Sequence, residues 1–413
     1  MNHITGLVCT QCGREYNPDE ITYTCPAHDG LATGILDVRY DYEAVAEDLD
    51  LSSGHLNSLW RYKPLLPIDG EVTVRLGAGG TPLLDTPTLS TELGVTMMVK
   101  DETSNPTGSN KDRGSSVVVT RAVEQGHDVI TCASTGNTAA SLAGYTARAG
   151  LACPLFVPAE IPEEKMAQLG SYDATVFAVD GDYADAFNLC TTVAARCGWY
   201  NRSAAINPYA VEGNRTLGYE LAEATHEEPV DWVVMPMGNG CLLAGVWKGL
   251  REFKRLGNID NVPRMLGVQA KGASDIHDAF TNEGGIGEND NTTGTINRTI
   301  ADSIDVRTPH NAGKACSALK ESNGAAVVVT DKDILVAQQL LGRTEGIFVE
   351  PASAATVAGV RTAREDGIID SDERVVVVAT GSGLKDTESA KRVIDEPMSL
   401  ENDPKSVPPK NEW

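Results

Sequence analysis

The sequence predicts an α/β protein with parallel strands covered on both faces, preceded by a small metal-binding ribbon. Three observations carry this. Near-continuous apolar runs alternate with helix-length patterns from about residue 96 to residue 380. Glycine- and hydroxyl-rich turns follow several of those runs, where ligands bind in open α/β sheets. Paired knuckles, Cys9-x2-Cys12 and Cys25-x2-His28, stand near the N-terminus.

Taken along the chain, residues 1–45 are turn-rich and poor in core residues. Each CxxC or CxxH turn sets two ligands on one ion, so the spacing reads as a zinc ribbon; free cysteines are the alternative. Four protein ligands close such a site, which makes the zinc structural. Asp29 is a substitute for His28 as the fourth ligand. Pro64, Pro67 and "GAGGTPLL" (77–84) mark entry to the main body. The predicted strands are "TMMVK", "DVITCAS", "CPLFVP", "ATVFAV", "DWVVMPM", "MLGVQA", "AAVVVT" and "RVVVVAT". Helical patterns such as "TAASLAGYTARAG", "YADAFNLCTTVAARCG" and "LLAGVWKGLREFKRLG" separate them, the arrangement of parallel sheets with helices on both faces. Residues 281–298 form a polar loop, and residues 396–413 a Pro- and charge-rich tail expected to be disordered.

The stretch "DETSNPTGSNKDRGSS" (101–116) breaks the regular pattern. Asn105-Pro106 and Thr107-Gly108 are turn formers, and Ser109 reads as an N-cap, which places Lys111 in the first turn of a helix. The positive end of the helix dipole disfavours an ammonium there. A lysine that deprotonates easily suits Schiff-base chemistry; an ordinary surface lysine is the alternative. "ASTGNTAAS" (133–141) opens a helix after a strand, where backbone amides with Ser134, Thr135 and Thr138 would hold a carboxylate and Asn137 would point into the cleft. "MPMGNGCLLAG" (235–245) repeats the design, with Gly238, Asn239 and Gly240 free to cradle a phosphate where a helix begins at Cys241 and Leu242. "VVVVATGSGLKD" (375–386) adds Thr380 and Ser382. Each turn alone is common between strand and helix. Together with a loop lysine they specify a phosphate-bearing aldehyde held as an imine.

Charge and cysteine usage exclude other classes. Asp and Glu number 58 against 34 Lys and Arg, a net charge of −24, which repels nucleic acid and anionic lipid. The acids are spread along the chain, as in a surface kept soluble in concentrated salt. No apolar run approaches a membrane span, no signal peptide is visible, and the nine dispersed cysteines look like reduced thiols, so a cytoplasmic location is expected. No Gly-x-Gly-x-x-Gly follows a first strand, which argues against a dinucleotide-binding protein.

The ordered set "GAGGTPLL", "NPTGSNKDRG", "STGNTAAS", "NPYAVEGNRT", "GNGCL", "EGIFVEPASAA" and "ATGSGLKD" resembles the threonine synthase family of fold-type II pyridoxal-phosphate enzymes, over about residues 50–395. The resemblance implies two doubly wound parallel-sheet domains with the cofactor in the cleft between them. Residues 50–115 with 205–395 would form the larger domain and 116–204 the smaller. It implies that Lys111 carries the cofactor and moves substrate protons. Asn137 would bond the cofactor's phenolic oxygen, and residues Gly238, Asn239, Gly240, Cys241 and Leu242 its 5′-phosphate. Thr380 would face the pyridine nitrogen; a hydroxyl there leaves the nitrogen unprotonated, a milder electron sink suited to elimination and replacement. Ser134, Thr135 and Thr138 would take the carboxylate of a small amino-acid substrate. The implied assembly is a homodimer, and the implied reaction turns O-phosphohomoserine and water into threonine and phosphate. The alternatives are β-elimination or β-replacement on another amino acid, and a non-catalytic cofactor- or amino-acid-binding protein.

Two departures stand out. Asn110 precedes the lysine where the family generally has an aromatic residue. In "SAAINPYAVEG" (203–213), Ala204, Ala205 and Ala210 occupy positions where the family has asparagine, serine and arginine to hold the substrate phosphate. Loss of an arginine and two hydrogen-bonding groups predicts weak use of phosphohomoserine. Arg113 and Arg215 are the nearby cations in sequence, each in a motif with its own structural task.

Overall fold

A computed structural model of the chain describes residues 3–28, 34–52, 57–134, 136–159, 163–282, 299–306, 308–394, 397–403 and 409. Thr135, Asp29 and most of the 281–298 loop and the C-terminal tail lie outside them.

The N-terminal strands are β1 (Ile4–Cys9), β2 (Glu15–Tyr16), β3 (Thr24–Cys25) and β4 (Gly34–Tyr40), antiparallel in the order β2-β1-β4-β3. Leu36, Val38 and Tyr40 alternate along β4 into the core, the period expected of a half-buried strand. Helix α1 (Tyr42–Asp48) follows, capped by Asp41, whose side chain accepts from the amides of Glu43 and Ala44.

The main body runs β5 (Leu83–Asp85), α2 (Pro87–Leu93), β6 (Thr96–Asp101), α3 (Lys111–Glu124), β7 (Ile130–Ala133), α4 (Asn137–Ala149), β8 (Pro154–Pro158), α5 (Glu163–Ser171), β9 (Thr175–Val179) and α6 (Tyr183–Cys197). It continues with β10 (Tyr200–Asn201), α7 (Pro208–Ala224), β11 (Trp232–Pro236), α8 (Cys241–Arg255), β12 (Arg264–Ala270), α9 (Asp275–Thr281), α10 (Ala312–Glu321), β13 (Ala325–Val329), α11 (Asp331–Glu345), α12 (Pro351–Glu365), β14 (Arg374–Ala379) and α13 (Thr387–Lys391). Each of the predicted apolar runs contains a strand; most are buried from both faces, as β11 is throughout, whereas β9 at the edge of its sheet is only half-buried or exposed.

Two sheets result. One is parallel, in the order β10-β7-β8-β9. The other is ordered β13-β12-β11-β14-β6-β5 and is parallel except at its edge, where β5 runs antiparallel to β6. That edge corrects the expectation of purely parallel sheets: "LLD" is three residues long and pairs only with β6, to which helix α2 connects it.

The strand orders locate the crevices. In the smaller sheet, β8 and β9 lie to one side of β7 and β10 to the other, so the order reverses between β7 and β10. In the larger sheet, β12 and β13 lie to one side of β11 and the chain returns to place β14 on the other. Ligands bind outside the carboxyl ends of strands at such reversals. Here those ends carry the segments after β6, β7, β10, β11 and β14.

Helix α7 runs through the interior with 15 of its 17 residues buried, so its Glu212, Arg215 and Glu220 need internal partners. They have them. Glu220 meets Arg113 and Lys100 at 2.7 and 2.8 Å, and Arg215 meets Glu212 and Glu252, each at 2.6 Å.

Candidate active site

Lys111 is the first residue of α3. The helix begins one residue later than sequence reading suggests: Asn110, not Ser109, is the N-cap, and its side chain makes no capping bond. Ser109 is drawn instead into an antiparallel bridge with Gly381, while the Asn110 amide donates to the Thr380 carbonyl at 2.9 Å. The loop before it turns at Gly108, whose φ of +80° suits glycine, and closes where Asp112 accepts from the Thr107 amide and hydroxyl at 2.7 and 2.5 Å. Asn105 ties the other end, donating to Glu102 and accepting from the Gly79 amide at 3.0 Å. The lysine therefore projects from a stitched loop and retains some accessible surface. Burial, followed by the nearby Arg202 guanidinium, pulls its proton affinity below the ordinary lysine value; Glu350 and Cys241 act in the opposite direction.

Three further segments reach the same place. Asn137 is the first residue of α4, after β7, and its Nδ2 donates to Glu350 Oε2 at 2.8 Å. Ser134 and Thr138 flank it, both partly accessible. Cys241 opens α8 after β11; its N-cap Gly240 has φ +84° and contributes no side chain. A Cβ on Gly240 would lie 2.8 Å from the Asn311 carbonyl, and one on Gly238 3.0 Å from the Ser303 carbonyl, so both glycines are needed for the backbone to approach its neighbours. Asn239 accepts from the Asn311 amide at 3.1 Å, and Leu242 is buried just inside the helix. Thr380 follows β14, and its hydroxyl lies 3.0 Å from that of Ser353 on α12.

Glu350 was not singled out by sequence. It precedes Pro351 at the start of α12 and is 4 % exposed, with its amide bound to the Gly381 carbonyl at 3.0 Å. Oε1 has no hydrogen-bond partner among the described residues. Burial, then the Asp302 charge, raises its proton affinity, and the Asn137 bond opposes them. Proline after an acid is a common helix start, so only the tertiary structure reveals that this carboxyl faces the lysine.

The arrangement fits a phosphate-bearing aldehyde. Helices α4 and α8 begin here without a side-chain cap, leaving first-turn amides for an anion. An amine whose proton affinity burial lowers stands beside them, and two buried polar atoms, Glu350 Oε1 and Asn110 Nδ2, have no partner among the described residues.

Comparison with known proteins agrees. Residues 74–381 match the family described as pyridoxal-phosphate dependent enzyme. The chain is 42% identical over 400 residues to a threonine synthase of Methanocaldococcus jannaschii, covering 96% of each, and 42% identical over 397 residues to that of Methanosarcina acetivorans, again 96% of each. The chain belongs to the threonine synthase family of pyridoxal-phosphate-dependent enzymes. Solved structures share the fold at lower identity. A serine ammonia-lyase from Rhizomucor miehei has TM-score 0.65 and 21% identity, covering 76% of this chain and 96% of that one. Diaminopropionate ammonia lyase from Escherichia coli has TM-score 0.66 and 17% identity, covering 84% and 92%.

Set against the family pattern, the arginines sort themselves. Arg113 is enclosed by Glu102 and Glu220, and Arg215 by Glu212 and Glu252, so both are committed to the structure. Arg202 is another matter, and sequence reading passed over it. It follows β10, with its amide continuing the pairing to Thr131, and is 2 % exposed. Its Nε donates to Ser115 Oγ at 3.2 Å and Nη2 to the Lys111 carbonyl at 3.3 Å. No carboxylate among the described residues forms an ion pair with it.

Away from the cleft, Cys9, Cys12, Cys25 and His28 are brought together, with one potential ligand atom from each within 4.8 Å of all the others. His28 Nε2 is buried without a partner, as a nitrogen aimed at an ion would be. None of the nine cysteines is in a disulfide. No helix among the described residues is long and apolar enough to cross a membrane.

Proposed function

We propose that the protein converts O-phosphohomoserine and water to threonine and phosphate, with pyridoxal phosphate bound between the two parallel sheets. The observation that carries this is the match to threonine synthases along 96% of the chain, supported by the convergence of Lys111, Asn137, Thr380 and the Gly238–Leu242 turn. When bound, pyridoxal phosphate supplies an aldehyde that condenses with an amine and a ring that draws off the electron pair left by a departing proton. The residues present would hold it as follows: Lys111 Nζ at the aldehyde, Asn137 at the phenolic oxygen, Thr380 at the ring nitrogen, and the amides from Gly238 to Leu242 at the phosphate.

The chain's own groups supply the rest. Lys111 Nζ, kept below its usual basicity by burial, can take a proton from the substrate and return one. Ser134 and Thr138, on either side of the start of α4, would orient the substrate carboxylate. Buried Glu350 holds Asn137 in place at 2.8 Å. The N-terminal Cys9, Cys12, Cys25 and His28 would bind one structural zinc, closing the ribbon.

β-Elimination from an unphosphorylated amino acid is the second reading, and Ala204, Ala205 and Ala210 are what favour it. Purified enzyme with cofactor decides between them when offered phosphohomoserine, phosphoserine, serine, threonine and diaminopropionate, with phosphate, threonine, ammonia and 2-oxo acid measured separately. Equimolar threonine and phosphate from phosphohomoserine is the expected result. Ammonia and 2-oxo acid from serine or threonine, without turnover of phosphohomoserine, would refute it.

A further inference from the structure

We propose that Arg202 is the cation that binds the substrate's distal phosphate, in place of an arginine on α7. The inference rests on the reaction assigned above for the identity of the anion, and on geometry for the site.

Arg202 stands at the carboxyl end of β10, next to β7, where the strand order of the smaller sheet reverses. Across the cleft, Cys241 Sγ donates to the Ala204 carbonyl at 3.5 Å, so the segment just after Arg202 abuts the phosphate-binding turn of α8. A Cβ on Gly114 would lie 3.2 Å from Arg202 Nη2 and 2.7 Å from the Ala210 carbonyl. The guanidinium and the first turn of α7 thus meet over the same point of α3. Alanine at 204, 205 and 210 adds no long side chain of its own to this region.

The guanidinium is also incompletely used. It has five N–H groups, and the recorded bonds engage Nε and one hydrogen of Nη2; Nη1 has no acceptor among the described residues. A buried cation normally has an acid against it. The groups that Arg202 hydrogen-bonds are uncharged, and the buried Asp112 carboxyl, which acts on it through space, is taken up by the Thr107 amide and hydroxyl. Such a site lacks an anion, and a phosphate monoester offers two charges and several acceptor oxygens in the fork geometry that arginine matches. Binding it would also relieve the repulsion between Arg202 and Lys111.

The same chemistry could come from the cofactor's 5′-phosphate, and the test separates the two. Arg202→Gln and Arg202→Lys are prepared as holoenzymes beside the unaltered protein. Three quantities are measured: the cofactor dissociation constant from its absorbance, inorganic phosphate binding by calorimetry, and kcat and KM for phosphohomoserine. The expected result for Arg202→Gln is a roughly ten- to hundredfold weakening of phosphate binding and rise in KM, with cofactor affinity unchanged and partial recovery in Arg202→Lys. A selective loss of cofactor affinity would overturn the proposal and assign Arg202 to the 5′-phosphate; unchanged phosphate binding and KM would overturn it outright. If the unaltered enzyme does not turn over phosphohomoserine, the assigned reaction falls, while the phosphate titration still decides for or against Arg202.

Discussion

Arg113, in the first turn of α3, and Arg202, bonded to the start of the same helix, are both almost wholly buried, at 0 % and 2 % exposure. Arg113 is surrounded by acceptors: Glu102 Oε1 and Oε2 at 2.7 Å each, Glu220 at 2.7 and 2.8 Å, and the hydroxyls of Thr81 and Thr216. Arg202 has a hydroxyl and a carbonyl. The first cluster has repaid its desolvation within the protein, and its task is to hold the 101–110 loop against α7. The second has not, and a buried charge without a counter-ion is a sign of a ligand site. One guanidinium fixes where the loop runs; the other, bonded to the Lys111 carbonyl, is left with donors to spare.

The comparison breaks most visibly at Arg113. Arg113→Met leaves Glu102 without its cation and Glu220 with only Lys100, so a loss of about 3–5 kcal/mol is expected, read as a lower urea midpoint of the cofactor-saturated protein. Adding Glu102→Gln should return part of that loss, because the unpaired acid causes much of it. An Arg113→Met protein as stable as the parent would mean that the network contributes nothing to holding the loop.

How much of this could be read in the sequence follows from the same physics. Strands buried from both sides, such as Trp232–Pro236 and Arg374–Ala379, announce themselves by unbroken apolar runs. The turns that open α3, α4 and α8 were legible because glycine, asparagine and small hydroxyls cluster there. Strand β10 was not: "YN" is two residues with no periodicity, and its pairing to Ile130 and Thr131 lies far off in sequence. Missing it hid the reversal in strand order and, with it, the position of Arg202. The available signal was an arginine at the end of the short "GWYN" stretch, with alanines following it. Glu350 was hidden for a related reason, since the residue it supports, Asn137, lies 213 positions away. The placement of Ser109 at the helix cap failed where a tertiary bridge to Gly381 outweighed local capping preference.

A middle-sized effect is expected at Asp37 on β4, which joins the N-terminal sheet to α8 and α10. It binds Lys314 of α10 at 2.8 Å and Lys248 of α8 at 3.2 Å. Burial alone would raise its proton affinity, but the two ammonium groups hold it well below the usual carboxylate range. Its stabilising contribution is therefore complete above the ordinary aspartate value of 3.8 and is lost only as pH falls through the lower folded value. Asp37→Asn should cost about 1–3 kcal/mol at neutral pH, since Lys248 keeps Glu212 at 3.1 Å. The difference from the parent should shrink in strong acid. A gap that stays constant from neutral pH down to full acid unfolding would show that Asp37 acts by packing and not by charge.

The smallest effect is expected at Arg202, and its sign matters more than its size. Replacing it with methionine removes a buried charge that has no counter-ion, together with two hydrogen bonds to neutral partners. The desolvation relieved and the bonds lost are of similar size, so stability should change by no more than about 1 kcal/mol and can rise. Ser115 and the Lys111 carbonyl are left without that donor, but both are in α3, where local bonds are available. The unfolding midpoint should be compared without phosphate and again with saturating phosphate, because a ligand that binds only the folded state stabilises it by mass action. The parent protein should gain stability from phosphate, and Arg202→Met should gain much less. If Arg202→Met instead loses as much as Arg113→Met with phosphate absent, then Arg202 is a structural pillar and the contrast between the two arginines is false.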